Sequence, residues 1–378
     1  MRIYLDHNAT TPLRPEVVEA MSRALRDQFG NPSSVYAEGA SARARIEVAR
    51  GQVASLVGVE AGNIRFTGGA TESNNTVLFG CLASGDHVVT TEVEHPSVVA
   101  PLAVLEEQGV SVSRIKPDQD GCVDAAEMAD AINDQTKLLT MIWANNETGS
   151  IQPVQAVAEA CRDRGVLMHV DATQVIGKSS VDLAQTPIDF LSSSAHKLGG
   201  PKGVGALVSC GDTVVPAFLH GGGQEKGLRG GTENVASIVG YGVACELSAA
   251  EGPERMEHSG KLRERLWHGI QAQVESVRWN GGPEKTLCNT LNIEFKGVAG
   301  EVLLQALDLE GVAASAGAAC HSGSIEPSAV LLAMGRSADE ARASLRFSIG
   351  WGVDEEQIDR AIELLGELVP RVRQAEAP

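Results

Sequence analysis

DFLSSSAHKLGGPKGVGALVS, residues 189–209, holds two β-rich runs joined by a Gly-Pro loop. The first run, DFLSSS, closes a rhythm that begins at residue 64. In it NIRFT, HVVTT, VSRI, LLTMIWA and VLMHVD alternate with segments of helical pattern such as ESNNTVLFGCLA, SVVAPLAVLEEQG and PVQAVAEACRDRG. That alternation predicts βαβ crossovers, a mainly parallel sheet and helices on both of its faces. The second run, GVGALVS, follows through a loop too short for a crossover helix, so it is expected to pair antiparallel or to lie elsewhere in the sheet.

Two helical segments, RPEVVEAMSRALRDQFG and EGASARARIEVARGQVASLVG, precede this region. The Gly-rich stretch HGGGQEKGLRGGTEN, residues 220–234, follows it and begins a long helical stretch that closes the large domain near residue 257. Beyond that point ESVRWNG, TLCNTLNIEFKG and SLRFSIG supply strands, while VLLQALDLEG and EEQIDRAIELLGELVPRVRQ supply helices. The expected class is therefore α/β, with a mainly parallel mixed sheet and a smaller α+β C-terminal domain. A chain of 378 residues suits a large domain plus a smaller one. The expected division is an N-terminal arm and start of the small domain at 1–15, a large domain at 16–257 and a small domain at 258–378.

A formal charge of −18 argues against nucleic acid or an anionic membrane as partner, since both require concentrated Lys and Arg. It favours a basic protein partner, although solubility is a sufficient reason for it. No apolar run approaches a membrane span, and MRIYLDHNATTP lacks the regions of an export signal, so a cytoplasmic protein is expected. The seven cysteines are never closer than 32 residues, which suggests neither a disulfide framework nor a local CxxC metal site.

The chemistry gathers at strand ends. In FTGGATESNN a strand stops, Gly68 and Gly69 permit a tight turn, and a helix begins with backbone N–H groups that can receive an anion; a plain turn and cap is the competing reading. In VLMHVDATQVIG, Asp171 ends an apolar run at the carboxyl edge of the sheet, as a ligand or as a helix cap. The quoted stretch delivers Ser194, His196 and Lys197 to the same edge. A Lys at a strand end, flanked by a hydroxyl and glycines and sharing an edge with an Asp, meets the needs of a pyridoxal phosphate aldehyde: an amine to form the imine and a carboxylate to keep the pyridine nitrogen protonated. A further stretch, ASAGAACHSGSIEPS at 314–328, sets Cys320 among small residues, unlike the bulkier settings of the other cysteines.

Taken together, YLDHNATTP, FGNPSS, FTGGATESN, TEVEHPSV, NNETG, HVDATQ, SSSAHKLGGPKG, GGGQEKGLRGGT, GAACHSGSIEPS and SLRFSIG resemble, in order and over nearly the whole chain, the cysteine desulfurases of the NifS/IscS type, which are class-V aminotransferase-like, fold-type I pyridoxal phosphate enzymes. The resemblance implies a three-layer fold-type I transferase and the following roles. Lys197 would be the imine lysine and Asp171 the partner of the pyridine nitrogen. His95 would stack on the ring and assist proton transfer, and Gln174 would contact the phenolate oxygen. Gly69, Ala70, Thr71, Ser194 and His196 would surround the phosphate. Asn146 would contact cofactor and substrate, and Arg346 would grip the substrate carboxylate. Members are dimers in which a loop matching Arg229, Gly230 and Thr232 reaches the other subunit's phosphate; the usual RSGT reads RGGT here.

Cys320 matches the family's active cysteine, which takes the substrate's sulfur as a persulfide and leaves alanine. Where the motif usually resembles SGSACTS, this chain reads AGAACHS, placing His321 beside the thiol, either to favour thiolate or contact an acceptor, or as a solvated loop histidine. The implied function is a cysteine desulfurase acting on L-cysteine and serving a sulfur acceptor or iron-sulfur scaffold protein. A selenocysteine lyase, another pyridoxal phosphate enzyme of the family and an inactive sulfur-handling scaffold are the alternatives. The longer Cys320 loop weighs against the lyase, and the intact Lys197, Asp171, His95 and Cys320 weigh against the scaffold.

Overall fold

The computed structural model describes residues 2–210, 213–316 and 326–376. After β1 (Ile3–Tyr4) come α1 (Pro15–Asp27) and α2 (Ala37–Val57). Pro15 suits the first turn of α1, where its missing N–H has no intrahelical partner anyway, and Gly58 ends α2 in the left-handed region at φ 76°.

The chain then alternates β2 (Ile64–Thr67), α3 (Ala70–Cys81), β3 (His87–Thr91), α4 (Pro96–Glu107), β4 (Ser111–Ile115), α5 (Ala125–Asp130), β5 (Thr136–Ile142), α6 (Val154–Arg164) and β6 (Leu167–Asp171), and adds β7 (Phe190–Ser194) and β8 (Gly205–Ser209). These seven strands form one sheet in the order β2-β8-β7-β6-β5-β3-β4. All neighbours are parallel except at β8, which runs antiparallel to both β7 and β2. Of the two arrangements expected after the short Gly-Pro loop, antiparallel pairing or a place elsewhere in the sheet, β8 takes the first.

Side-chain alternation sorts the core into two layers. Val88, Leu138, Phe190 and Leu207 face α3 and α4, packing on Val77, Leu78, Leu102 and Leu105. Their neighbours Val89, Leu139, Leu191, Ala206 and Val208 face the other way, with Ile46 and Val53 of α2, Val157 and Cys161 of α6, and Tyr241. Strands covered on both faces carry near-continuous apolar runs, which is why these segments read as β-rich without a polar side. Each such fully buried side chain contributes roughly 1.5–3 kcal/mol of transfer free energy.

The remaining elements are α7 (Val235–Gln273), β9 (Val277–Trp279), β10 (Thr290–Phe295), α8 (Gly300–Leu309), β11 (Val312–Ala313), β12 (Ser315–Ala316), α9 (Ala329–Ala333), α10 (Ala338–Arg342), β13 (Ser344–Ser348) and α11 (Glu355–Glu376). A second, antiparallel sheet has the order β12-β13-β10-β9. Leu291, Ile293 and Phe295 of β10 and Leu345 and Phe347 of β13 pack there with residues of α8 and α11. Ile3 and Leu5 join the same core, because β1 pairs with β11. Helix α7 serves both cores: Tyr241, Ala244 and Cys245 belong to the first, and Leu262, Leu266 and Ile270 to the second. Among the described residues no helix is long and apolar enough to cross a membrane.

Candidate active site

The carboxyl ends of β5, β6 and β7 share one edge of the large sheet. Asp171 is the last residue of β6 and is buried. Its Oδ1 accepts the backbone N–H of Thr173 at 3.0 Å, the local turn that a capping Asp would make. Oδ2 accepts Nδ2 of Asn74, from α3, at 2.8 Å, and the same Nδ2 donates to the hydroxyl of Ser97 at 2.8 Å. His95 is the N-cap of α4, and its Nδ1 accepts the backbone N–H of Ser97 at 3.1 Å. A nitrogen that accepts an N–H carries no proton, so Ser97 Oγ donates to it at 2.7 Å and the proton of the neutral ring sits on Nε2. Burial lowers the His95 pKa and Lys197 adds to the effect, against the pull of Asp171. The imidazole is therefore neutral at pH 7, with a donor on its outer nitrogen.

Lys197 ends the turn Ala195–Lys197 that follows β7. Its Nζ donates to the carbonyls of Asn8 and, at 2.8 Å, Ala9. Burial, and after it the charge of Arg346, lower its pKa to about 8, with Asp171 and Asp6 opposing. About a tenth of such an amine is unprotonated at pH 7, a share roughly two orders of magnitude above that of an ordinary lysine, and the free amine is the nucleophile. Gln174 donates from Nε2 to the Asn8 carbonyl at 2.9 Å, and its Oε1 accepts Lys178 Nζ at 2.6 Å.

The proposed anion cradle is built from backbone. Gly69 caps α3 with φ 149°, and among the described residues no side chain caps the helix, so the N–H groups of Ala70 and Thr71 remain for an incoming anion. A Cβ on Gly69 would stand 3.8 Å from Ser194 Oγ, so the hydroxyl lies beside the turn. Strand β8 approaches that turn closely: a Cβ on Gly205 would meet Gly69 Cα at 2.7 Å and the Ser193 carbonyl at 2.4 Å. Thr71 and Thr232 are exposed. His196 Nδ1 lies 3.1 Å from Thr10 Oγ1, so in this structure its ring is engaged with the N-terminal arm; burial and the nearby Lys197 lower its pKa to about 4. Arg229 clasps Glu72 of α3 at 3.0 and 3.2 Å, which ties the Gly-rich loop to the same helix start.

Arg346 is buried on β13. Its Nη1 donates to the Asn146 carbonyl at 2.9 Å and its Nη2 pairs with Asp6 at 2.5 Å, while its Nε has no partner among the described residues. The guanidinium is thus held from two sides and retains donor capacity for a carboxylate. Cys320 and His321 lie outside the described residues, but the positions that bracket them are fixed. Ala316 ends β12, and its partner on β13 is Leu345, next to Arg346. On the other side Ser328 donates to Glu147 at 2.5 Å, one residue from Asn146. Cys320 is four positions along the chain from Ala316, a span of at most about 14 Å.

Asn8, Asn74, Ser97 and Asp6 are the members of the site that sequence reasoning missed as individual residues. Asn8 is a hub: besides its carbonyl, its Nδ2 donates to the Asn146 carbonyl at 3.2 Å and to Thr290 Oγ1 at 2.9 Å, and its backbone N–H donates to Ser348 Oγ at 2.9 Å. Asn8 and Asp6 lie in YLDHNATTP and Asn74 in FTGGATESN, but an amide's partners cannot be read from its neighbours in sequence.

Comparison with known proteins agrees with this geometry. A model of the class-V aminotransferase family matches residues 3–361. A cysteine desulfurase of Enterobacter agglomerans is 43% identical over 98% of this chain and 93% of its own length. The cysteine desulfurase IscS of Methanosarcina thermophila is 41% identical, over 98% of this chain and 93% of its own. Among solved structures, a NifS-like protein from Rickettsia africae superposes with a TM-score of 0.89 at 31% identity, covering 98% of this chain and 100% of that one. SspA, solved in complex with cysteine, gives 0.81 at 33% identity over 92% of this chain and 99% of its own.

Proposed function

The chain belongs to the class-V aminotransferase family, within its cysteine desulfurases, and from that premise we propose how its own residues carry the conversion of L-cysteine to L-alanine with the sulfur left as an enzyme persulfide. The observation that carries the reading is the convergence of Lys197, Asp171 and His95 on one sheet edge, linked in part by the Asn74 bridge.

The donor set fits pyridoxal 5′-phosphate, which when bound supplies an electron sink for the bonds at the substrate's α-carbon. Asp171, with Asn74 fixing one oxygen and Thr173 the other, presents a buried anion suited to a protonated pyridine nitrogen. The N–H groups of Ala70 and Thr71 with the Ser194 hydroxyl suit the phosphate, and Thr232 of a second subunit would complete them. Lys197 would hold the cofactor covalently through its lowered-pKa amine. His95 holds a proton at Nε2 and can exchange it with the reacting groups. Arg346, braced by Asp6 and Asn146, would bind the substrate carboxylate. Cys320 would attack the substrate's sulfur as thiolate, the bond from that sulfur to the substrate's β-carbon breaking as the persulfide forms, and then pass the sulfur to an acceptor protein, such as an iron-sulfur scaffold.

Borohydride reduction of the purified protein followed by peptide mass analysis tests the assignment. A cofactor adduct on the Lys197 peptide, with alanine and sulfide released from L-cysteine beforehand, is the expected result. An adduct on another lysine, or no cofactor, would overturn it.

A further inference from the structure

Lys178 is a buried amine at the site for which the reaction as described above has no use. It stands four residues after Gln174, and its Nζ donates to Gln174 Oε1 at 2.6 Å and to Asn8 Oδ1 at 3.1 Å. Burial, and after it the charge of Lys197, hold its pKa well below the ordinary lysine value; Arg346 and Arg255 act in the same direction and Cys288 against it. A neutral amine still has two N–H bonds, so both contacts survive in either charge state.

The consequence lies in the direction of two amides. An ammonium only donates, and the Asn8 carbonyl beside the other amide atom only accepts, so the Gln174 atom that meets Lys178 is its carbonyl oxygen. The amide nitrogen then faces the Asn8 carbonyl at 2.9 Å, an acceptor shared with Lys197, and keeps a second N–H. Asn8 is fixed in the same way. Its Oδ1 accepts Lys178 and, at 3.1 Å, Asn289 Nδ2, which turns its own Nδ2 toward the Asn146 carbonyl and Thr290. No other assignment satisfies all of these partners.

We propose that Lys178 is a positioning residue that locks the Gln174 amide in its donor orientation, so that Gln174 can give a hydrogen bond to the phenolate oxygen of bound pyridoxal phosphate. The proposal rests on the cofactor reading above. Without Lys178 the Gln174 amide is held only by the Asn8 carbonyl, so a half turn that presents its oxygen to the phenolate, replacing attraction by repulsion, costs less.

The test is a double-mutant cycle on the apo-protein titrated with pyridoxal phosphate, reading the dissociation constant and the pH midpoint of the bound cofactor's visible absorbance. Lys178→Met should weaken binding by roughly three- to tenfold, the loss of about one hydrogen bond. It should also raise the midpoint, because a phenolate that loses its donor holds the neighbouring proton more tightly. Gln174→Ala should give both effects, and Lys178→Met added to Gln174→Ala should give little more, as expected of residues acting through one contact. If Lys178→Met does not fold, Lys178→Gln enters the same cycle, where it should give a smaller shift of the same sign that also vanishes on the Gln174→Ala background. An unchanged midpoint, or an effect of full size on that background, would overturn the proposal while leaving the cofactor reading intact. Failure of the wild-type apo-protein to bind pyridoxal phosphate would overturn both.

Discussion

At Lys197 the sequence motif and the physics of burial converge. With the pKa lowered to about 8, the amine is mostly protonated at pH 6 and mostly free at pH 9. The rate at which the apo-protein captures pyridoxal phosphate should therefore rise about tenfold per pH unit below 8 and level off above it, measured by the growth of visible absorbance in stopped flow. A profile still rising steeply past pH 9 would mean an ordinary lysine. Arg346→Ala should mainly raise the cysteine concentration needed for half-maximal turnover, by a free energy of about 1.5–3 kcal/mol, with the cofactor band retained. Because the same change strips Asp6 of its partner, Asp6→Asn belongs beside it; only the arginine variant should lose affinity for the substrate's carboxylate on that full scale. Lys197 and Asp171 were legible in the sequence as strand-end groups bracketed by glycine or capping patterns. Asn74 was not, because its partner Asp171 is far along the chain and a polar residue inside α3 gives no local sign of what it will meet.

Among the elements, the Gly-rich loop shows what holds an unusual backbone in place. Glu225 and Lys226 both adopt positive φ, at 47° and 58°, which side chains with a Cβ rarely do. Glu225 is held there by Arg50 at 2.8 and 2.9 Å and by the Phe66 N–H at 3.0 Å, with Arg50 stacked 4.9 Å over the Phe66 ring. Glu225→Ala leaves the Arg50 charge mostly buried without this partner and frees the loop. It should lower stability by about 3 kcal/mol in thermal or denaturant unfolding. A loss under about 1 kcal/mol would show that solvent or Glu47 takes over the pairing. The loop's glycines were visible in the sequence, but its attachment to α2 and β2 was not. Helix α7 illustrates a different limit. Gly252-Pro253 is a pattern that usually punctuates a helix, yet α7 passes through it, because packing on either side, by Tyr241 and Cys245 in one core and Leu262 and Leu266 in the other, outweighs the local preference. For strand β8, by contrast, loop length excluded a parallel crossover from β7 and left antiparallel pairing, the observed arrangement, as one of two placements.

At the scale of the whole molecule, the site is assembled between two cores. The large sheet supplies Asp171, His95 and Lys197, the small sheet supplies Arg346, and the N-terminal arm joins them through Asn8, which bonds Gln174 and Lys178 on one side and Thr290 and Ser348 on the other. The fold class could be read from periodicity, since strands buried on both faces announce themselves as apolar runs. The reaction could not be read from periodicity, because the cofactor supports many reactions and the choice among them rests on one thiol. The central claim is that Cys320 is that thiol. Incubating the protein with L-cysteine, trapping persulfide by alkylation and mapping the additional sulfur by peptide mass analysis tests it most directly. The sulfur should appear on the Cys320 peptide and should vanish in Cys320→Ser, which keeps its cofactor and the spectral response to cysteine. Sulfur mapped to any of the other six cysteines, or alanine and sulfide released by Cys320→Ser at the wild-type rate, would contradict the account.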